Sequence, residues 1–115
     1  MGSHNISLGR AGEELVAGRY RAMGYTVLAQ NWRAGRVGEI DLVLARSGVV
    51  VICEVKTRSS DRFGLPAEAV DWRKQRRLRA LAFRYLDEHD VRARSVRFDV
   101  ASVRGTTVDI IEAAF

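Results

Sequence analysis

Two acidic residues interrupt the two most apolar segments of this 115-residue sequence. Asp41 lies within Gly38–Ala45, and Glu54 lies within Val49–Thr57, with Lys56 two residues further on. Both segments have the β-branched, apolar character of buried strands, where an unpaired carboxylate is costly. Carboxylate oxygens on neighbouring strands are ligands that a divalent cation prefers, and a lysine beside them would stabilise developing negative charge. The chemistry therefore depends on whether these three side chains meet.

The turn between the two segments decides whether the acids are neighbours. A two-residue turn at Ser47–Gly48 puts Asp41 opposite Glu54. A simple three-residue turn would put Asp41 opposite Cys53, with acids on both faces of the hairpin, although a bulge would restore the match. The two-residue turn keeps the polar side chains together, and we predict that register. Strand alternation then places three apolar residues of the first segment on the opposite face: Ile40, Leu42 and Leu44.

Paired acids of this kind need a compensating charge. In the predicted register the β-carbons of Asp41 and Glu54 lie roughly 5 Å apart, so two ionised carboxylates would repel. A shared proton or a divalent cation such as magnesium would relieve this repulsion. Lys56 would lie roughly 7 Å along the strand from Glu54, close enough to hold a water or a negative charge. The alternative is a solvated hairpin face on which the acids pair with arginines, but the apolar Val50 and Ile52 share that face and favour the metal site.

Seven elements are predicted to position these residues. Apolar periodicity, glycines and capping residues predict the order α-β-β-β-α-β-β, namely a helix at Leu8–Met23, strands at Tyr25–Asn31, Gly38–Ala45 and Val49–Thr57, a helix from Asp71 through Glu88, and strands at Arg94–Val103 and Thr107–Ala114. The segments Trp32–Val37 and Arg58–Leu65 are predicted as loops, with a helical turn from Pro66. A strand, a helix and another strand in succession indicate a crossover, so we expect an α/β fold with a mixed sheet flanked by helices.

Helical spacing indicates which faces of the two helices turn inward. In the first helix the apolar stripe centres on Leu8, Ala11, Leu15 and Ala22, which puts Glu13 near its boundary. A carboxylate at this boundary either reaches into a cleft or is solvated, and the helix alone favours the solvated position for Glu13. In the second helix the stripe consists of Leu78, Leu81, Ala82 and Tyr85.

The second helix carries most of the remaining polar candidates. One turn before its apolar stripe, the inward face continues into Lys74 and Gln75. Because buried lysine and glutamine without partners are costly, we expect that end of the helix to face a water-filled cleft. Four arginines fall on the outer face, where contact with phosphate and simple solvation remain open alternatives: Arg73, Arg76, Arg77 and Arg84.

Composition bounds the class of protein. Nineteen Lys and Arg residues against fourteen Asp and Glu give a net charge of +5, and all but two of the basic residues are arginine, which suits bidentate phosphate contacts. Charge alone leaves nucleic-acid binding and a solvated surface open. The single Cys53 excludes an internal disulfide and favours a reduced, cytoplasmic setting; two histidines argue against zinc, and no apolar stretch is long enough for a membrane span. Residues 1–5 are predicted to be an expression-tag remnant, and residues 6–115 to form one domain.

The acidic segments resemble a known nuclease motif. Glu39-Ile40-Asp41 followed by Glu54-Val55-Lys56 is similar to the PD-(D/E)xK nuclease motif, with Ile40 in place of the nominal proline. More specifically, the chain resembles the YraN-type, Holliday-junction-resolvase-like bacterial proteins. The similarity extends over nearly all of the chain after the presumed tag, through Gly9–Glu13, Asn31–Arg33, Gly38–Val43, Glu54–Arg58, Phe63–Gly64, Lys74–Gln75 and Arg97–Val100.

This resemblance implies a restriction-endonuclease-like fold and metal-dependent hydrolysis of DNA, including branched or structured DNA in repair or recombination. It implies Asp41 and Glu54 as ligands of Mg²⁺ or Mn²⁺ together with the Val55 carbonyl, and Lys56 as the catalytic lysine. Glu13 would join the site, and Gln75 would be an accessory residue. The expected nucleic-acid contacts are Arg33, Arg36, Arg58, Lys74 and Arg77. Resolvase similarity also implies a homodimer. The competing interpretations are a nucleic-acid-binding module with a vestigial site and a scaffold for a repair complex.

Overall fold

The computed structural model describes residues 2–58 and 70–115, and the side chains from residue 9 onward within those ranges. In chain order its elements are α1 (Gly2–Ala22), β1 (Thr26–Ala34), β2 (Gly38–Arg46), β3 (Val49–Thr57), α2 (Trp72–Glu88), β4 (Ser95–Arg104) and β5 (Thr107–Ile111). The predicted order α-β-β-β-α-β-β is confirmed. Of the loop predicted at Arg58–Leu65, the structure describes Arg58, and the rest of that loop and the turn predicted from Pro66 lie outside the described residues.

A single five-stranded sheet carries the strands in the order in which they occur along the chain. Neighbouring strands pair antiparallel except β3 and β4, which run parallel from Val49–Ser95 to Thr57–Val103. A parallel pair needs a crossover, and α2 lies in it. The mixed sheet expected from the strand–helix–strand succession is therefore confirmed.

The helices cover opposite faces of this sheet. Against one face, α1 packs Val16, Ala17 and Tyr20 onto a layer formed by Leu42, Leu44, Val51, Cys53, Ala101, Val103 and Val108. Against the other, α2 packs the predicted stripe of Leu78, Leu81, Ala82 and Tyr85 onto Ile40, Val43, Val50, Ile52, Phe98 and Val100. Cys53 is a buried free thiol, as its apolar neighbours predicted. No helix in the described part of the chain combines the length and the apolar character needed to cross a membrane.

The end of α1 and the beginning of α2 lie where local chemistry predicts them. The Gly24 N–H donates to the Arg21 carbonyl and the Tyr25 N–H to the Tyr20 carbonyl, both at 3.0 Å, and Gly24 has φ +91°. These two bonds form a Schellman motif, which needs a residue with positive φ and so favours glycine. At the start of α2 the Asp71 side chain accepts a hydrogen bond from the Lys74 N–H at 3.0 Å, which confirms the predicted N-cap.

The loop predicted at Trp32–Val37 is wrong over its first half. Strand β1 continues to Ala34, whose partner on β2 is Gly38, and residues 35–37 form the turn. Trp32 pairs with Ile40, and its indole packs edge-on against Tyr85 at 5.3 Å. Tertiary contact with α2 therefore holds in the sheet a segment whose arginines and glycine are typical of a loop.

The buried face of α1 is also not the predicted one. Leu15 is 37 % exposed, and Ala11 and Ala22 are exposed, whereas Gly12, Val16, Ala17 and Tyr20 are buried. A β-carbon on Gly12 would lie 2.5 Å from Thr57 Oγ1, so the helix approaches β3 closely at this glycine. Glycine gives no hydrophobic signal, and the pattern of leucine and alanine indicated the wrong side. The true orientation turns Glu13 towards the sheet.

Strand β2 breaks its alternation at Asp41. Leu42 and Leu44 share a face, as predicted, and that face packs against α1, but Ile40 packs with Val43 on the α2 side, so the expected shared face of Ile40 with the two leucines is wrong. In a regular strand Ile40 and Val43 would point in opposite directions, so the strand is irregular between them. Asn31, on β1 between the partners of Ile40 and Leu42, has φ +52°. This irregularity places Asp41 at the end of the regular hairpin.

Candidate active site

The hairpin of β2 and β3 has the predicted register. Arg46 pairs with Val49 across a two-residue turn, and both turn residues, Ser47 and Gly48, have positive φ (52° and 81°). This is the combination that a type I′ hairpin turn requires. Ladder pairs run from there to Leu42–Cys53, and the next residues along the two strands are Asp41 and Glu54.

A cleft opens where the two strands diverge. Asp41 Oδ2 accepts a hydrogen bond from the Val55 N–H at 2.8 Å, so a side chain takes the place of a strand carbonyl here. The cleft has a volume of about 270 Å³, and its polar lining includes Arg33, Glu39, Asp41, Glu54, Lys74 and Arg77. Leu78 and Leu81 of α2 line it as well. The predicted water-accessible cleft at the N-terminal end of α2 is therefore present, and Lys74 faces it.

Glu54 is the buried centre of the cleft. Its side chain is 7 % exposed, and its Oε2 contacts two ammonium groups, Lys56 Nζ at 3.3 Å and Lys74 Nζ. Burial lowers the pKa of Lys56, and the neighbouring Lys74 lowers it further against the attraction of Glu54. Burial has the largest single effect on Lys74 and opposes its charged form, but the hydrogen bonds to Glu54 and Lys56 and the charges of Glu54 and Asp41 together raise its pKa. Lys74 is thus the stronger partner of Glu54, and Lys56 is the lysine more easily neutralised or redirected.

The surroundings of Asp41 disfavour the ionised form of its carboxyl group. Burial and then the charge of Glu54 raise its pKa to about 8, although the Val55 N–H acts in the opposite direction. A carboxylate whose pKa is raised by the charge of a neighbouring carboxylate forms, with that neighbour, a site that a cation would stabilise. The repulsion between Asp41 and Glu54 that the sequence predicted is therefore present. A bound proton or a bound cation would relieve it.

Glu13 reaches this pair from the other side of the sheet. It is half-buried, and its carboxyl group interacts with the side chains of Asn31 and Asp41. Burial is the largest cause of its raised pKa, which the charges of Glu39 and Glu54 increase further. Asn31 was not predicted as a site residue; it has a left-handed backbone conformation, and its side chain hydrogen-bonds the Glu13 carboxyl group.

Some of the other predicted site residues line this cleft, and the rest lie elsewhere on the protein. Arg33 lines the cleft and contacts Glu39 at 3.5 Å, and Arg77 lines it rather than the outer face of α2. Arg36 lies exposed in the turn between β1 and β2. Arg58 lines a separate hollow beside Gly12, so the structure does not place it in the acidic cleft. Gln75 Nε2 donates to the Val70 carbonyl at 3.0 Å and supports the start of α2.

A second buried polar cluster holds α1 onto the sheet, and sequence reasoning missed it. The fully buried Asp99 of β4 accepts hydrogen bonds from Tyr20 Oη at 2.6 Å, from Arg97 Nε and Nη2 at 2.9 Å, and from the Ala113 N–H at 3.0 Å. Arg97 Nη2 also donates to Tyr25 Oη at 3.1 Å. With four donors, the buried carboxylate is well satisfied. An acid alternating with apolar residues in Val96–Val100 was the available signal.

The acidic residues fit a hard divalent cation in their chemistry. Within residues 9–58 and 70–115, no three acidic, histidine or cysteine side chains converge closely enough to form a metal site by themselves. Asp41 and Glu54 supply two carboxylates, and magnesium is commonly bound by one or two carboxylates plus waters and substrate phosphates. The repulsion that raises the pKa of Asp41 is what such a cation would relieve. In this structure the ammonium groups of Lys74 and Lys56 supply the positive charge next to Glu54.

Comparison with known proteins places these residues within one family of sequences. The model of the family described as "Uncharacterised protein family UPF0102" matches residues 12–103, a range that contains every residue of the cleft. A UPF0102 protein from Frankia alni is 53% identical over 97 residues, which cover 84% of this chain and 80% of that protein. UPF0102 proteins from Acidothermus cellulolyticus (41% identity; 95% and 93% of the two chains) and Moorella thermoacetica (43% identity; 93% and 93%) are similar over greater shares of their length.

Proposed function

Because the chain belongs to the UPF0102 family, the family of the YraN-type proteins, and Asp41 and Glu54 of its cleft have Glu13 and two lysines beside them, we propose that it is a metal-dependent endonuclease that hydrolyses phosphodiester bonds of DNA. The observation that carries this proposal is the meeting of Glu13, Asp41, Glu54 and Lys56, which come from three different elements. The resemblance of Glu39–Asp41 and Glu54–Lys56 to the PD-(D/E)xK motif supports it. Branched or structured DNA is the proposed substrate class.

In this proposal Asp41, Glu54 and the Val55 carbonyl hold Mg²⁺ or Mn²⁺. When bound, the cation would lower the pKa of an attacking water and neutralise charge on the transition state. The Val55 N–H keeps Asp41 oriented through the bond to Oδ2. Glu13, whose side chain interacts with Asp41, places a further carboxyl group beside the cation site.

The two lysines have different tasks. Lys56 lies 3.3 Å from Glu54 Oε2, and its lowered pKa makes it able to orient the attacking water and exchange a proton. Lys74 neutralises Glu54 before substrate binds, and would turn towards the DNA phosphate when a cation takes its place. Arg33 and Arg77, on either side of the cleft, would hold the flanking phosphates. The more distant Arg36 and Arg58 would contact DNA only beyond the cleft.

The second candidate is a nucleic-acid-binding module whose acids no longer bind metal. The contact between Lys74 and Glu54 favours it, since an ammonium already compensates the most buried acid. This candidate predicts salt-sensitive DNA binding that survives loss of Asp41, without metal-dependent cutting. The intact set of acids and Lys56 favours the nuclease, because a binding module does not need it.

The test is cleavage of end-labelled duplex, flapped and four-way DNA with Mg²⁺, Mn²⁺ or a chelator. We expect cutting only with metal, and a loss of about a hundredfold or more in Asp41→Asn and Lys56→Ala. Glu14→Gln, which removes an exposed carboxylate next to Glu13, is the matched control and should cut like the parent. If Asp41→Asn and Lys56→Ala cut as fast as the parent, the assignment is wrong. The expected homodimer and cytoplasmic setting stay predictions.

A further inference from the structure

The outer face of α2 carries exposed aromatic and basic side chains. Trp72 is 59 % exposed and Phe83 is 75 % exposed, and Arg76 lies between them at helical spacing. This face is turned away from the sheet, because Leu81, half a turn of rotation from Trp72, is buried. A tryptophan at the beginning of a helix is not needed there for packing when more than half of it is in solvent.

Two arginines are arranged around the Trp72 ring. The Arg73 Cζ lies 5.3 Å from the indole centroid and the Arg76 Cζ lies 5.8 Å from it, both within the range of a cation–π interaction. The guanidinium groups therefore lie over the ring instead of extending freely into water. The result is an exposed aromatic ring with two positive charges in contact with it, which an anionic ligand with a planar group could engage together.

The surrounding helix has a strong excess of positive charge. Residues 72–84 contain six basic side chains and no acidic one. In the part of the chain that the structure describes, only Lys74 and Arg84 of these six have a carboxylate within ion-pairing distance, Glu54 and Glu88. Arg73 and Arg76 thus remain available to an anionic ligand.

We propose that Trp72, Arg73 and Arg76 bind an unpaired nucleotide of DNA, with the base stacked on the indole and the adjacent phosphates on the guanidinium groups. An aromatic platform combined with arginines is the usual means of binding single-stranded nucleic acid, because every base has a π-face. The inference rests on the proposed function, since it gives the nuclease a preference for DNA that contains single-stranded segments.

A second copy of this chain is a poorer occupant of the same face. In a symmetric pairing through α2, Arg73 and Arg76 would meet the same arginines of the other copy, and like charges repel across an interface. A DNA strand brings the opposite charge to the arginines and a ring to Trp72. Charge complementarity therefore selects nucleic acid.

The proposed stacking site of Trp72, Arg73 and Arg76 lies close to the proposed catalytic cleft. Lys74, two residues after Trp72, faces the cleft from the opposite side of the same helical turn. The two sides of a helix are separated by its diameter, roughly 10 Å. A strand that leaves the cleft over the beginning of α2 would reach Trp72 directly, and so an unpaired base next to the scissile bond would be held there.

The experiment measures binding without catalysis. Fluorescence anisotropy with labelled oligothymidylate of about ten nucleotides and with a duplex of equal length, in chelator and at low salt, reports each affinity separately. We expect Trp72→Ala to bind oligothymidylate about tenfold more weakly and the duplex as the parent does, and Trp72→Phe to recover most of the loss. Phe83→Ala, which removes the other exposed aromatic of this face, is the matched control and should bind like the parent. In a Trp32→Phe chain, where Trp72 is the remaining tryptophan, oligothymidylate should quench its fluorescence.

The outcomes separate this inference from the proposed function. If the parent cuts DNA but Trp72→Ala binds oligothymidylate like the parent, the stacking site is wrong and the nuclease stands. If Trp72→Ala loses single-strand affinity while no metal-dependent cutting is found, the nuclease is wrong and the stacking site stands. Equal losses on duplex and single strand, or no affinity of the parent for oligothymidylate, also overturn the stacking site.

Discussion

The raised pKa of Asp41 makes the stability of the metal-free protein depend on pH. In the unfolded chain an aspartate titrates near 3.9, whereas burial and Glu54 raise the pKa of Asp41 to about 8 in the folded chain. Between these two values the folded protein keeps a proton that the unfolded chain has released, so a rise in pH favours unfolding. Asp41→Asn removes this proton equilibrium while its side-chain oxygen still accepts the Val55 N–H. The variant should therefore lose less stability than the parent as the pH rises.

The size of the effect follows from the titration range. Each pH unit between the two pKa values removes at most about 1.4 kcal/mol of unfolding free energy. Asp41 is only partly buried, and screening by water reduces this to roughly half. From pH 5 to pH 7 the parent should thus lose about 1.4 kcal/mol relative to Asp41→Asn, or about 5 °C in Tm for a domain of this size.

The assay is thermal unfolding by circular dichroism in chelator at several pH values from about 5 to about 8. Because all other titrating groups are common to both proteins, the difference between their Tm values reports on Asp41 and on its interaction with Glu54 and Glu13. Glu14→Gln, an exposed carboxylate, should follow the parent at every pH. Parallel curves for Asp41→Asn and the parent would refute the reasoning, since they would mean that Asp41 is an ordinary solvated acid.

Two further substitutions test contacts that position the cleft. Lys74→Gln removes the ammonium bound to Glu54, so Mn²⁺ should bind about fivefold more tightly in calorimetry; an unchanged affinity would show that the lysine does not compete with a cation. Gly12→Ala puts a methyl group 2.5 Å from a β3 hydroxyl and should cost about 1–3 kcal/mol in urea unfolding. Gly18→Ala, on the same helix with nothing within 4 Å, should instead stabilise by about 0.5–1 kcal/mol; equal effects of the two alanines would refute the close approach.

Local signals predicted the parts of the fold that local chemistry determines. The Ser47–Gly48 turn determined the hairpin register, Asp71 determined the start of α2, and Gly24 determined the end of α1. Failures came where long-range packing decides. Trp32 is held in β1 by α2, which is distant in sequence, and α1 is oriented by a close approach at Gly12, a residue without a side chain.

The candidate site, like the fold, could be predicted only where local geometry determines it. The pairing of Asp41 with Glu54 followed from the register, because strand geometry converts spacing into distance. The place of Glu13 did not follow from its own helix, because the helix face was wrong, and the resemblance alone assigned it to the cleft. The contact of Lys74 with Glu54 depends on how α2 lies across the sheet, which spacing within one helix does not determine.

The hydrogen bond between Tyr20 and Asp99 joins residues 79 positions apart. During synthesis, β4 leaves the ribosome long after α1, so the anchor of α1 is missing until most of the polypeptide has been translated. Glu13 belongs to that helix and lies beside Asp41 when α1 is packed on the sheet. A truncated or nascent chain that lacks β4 would therefore have Asp41 and Glu54 without this anchor to hold the carboxyl group of Glu13 beside them.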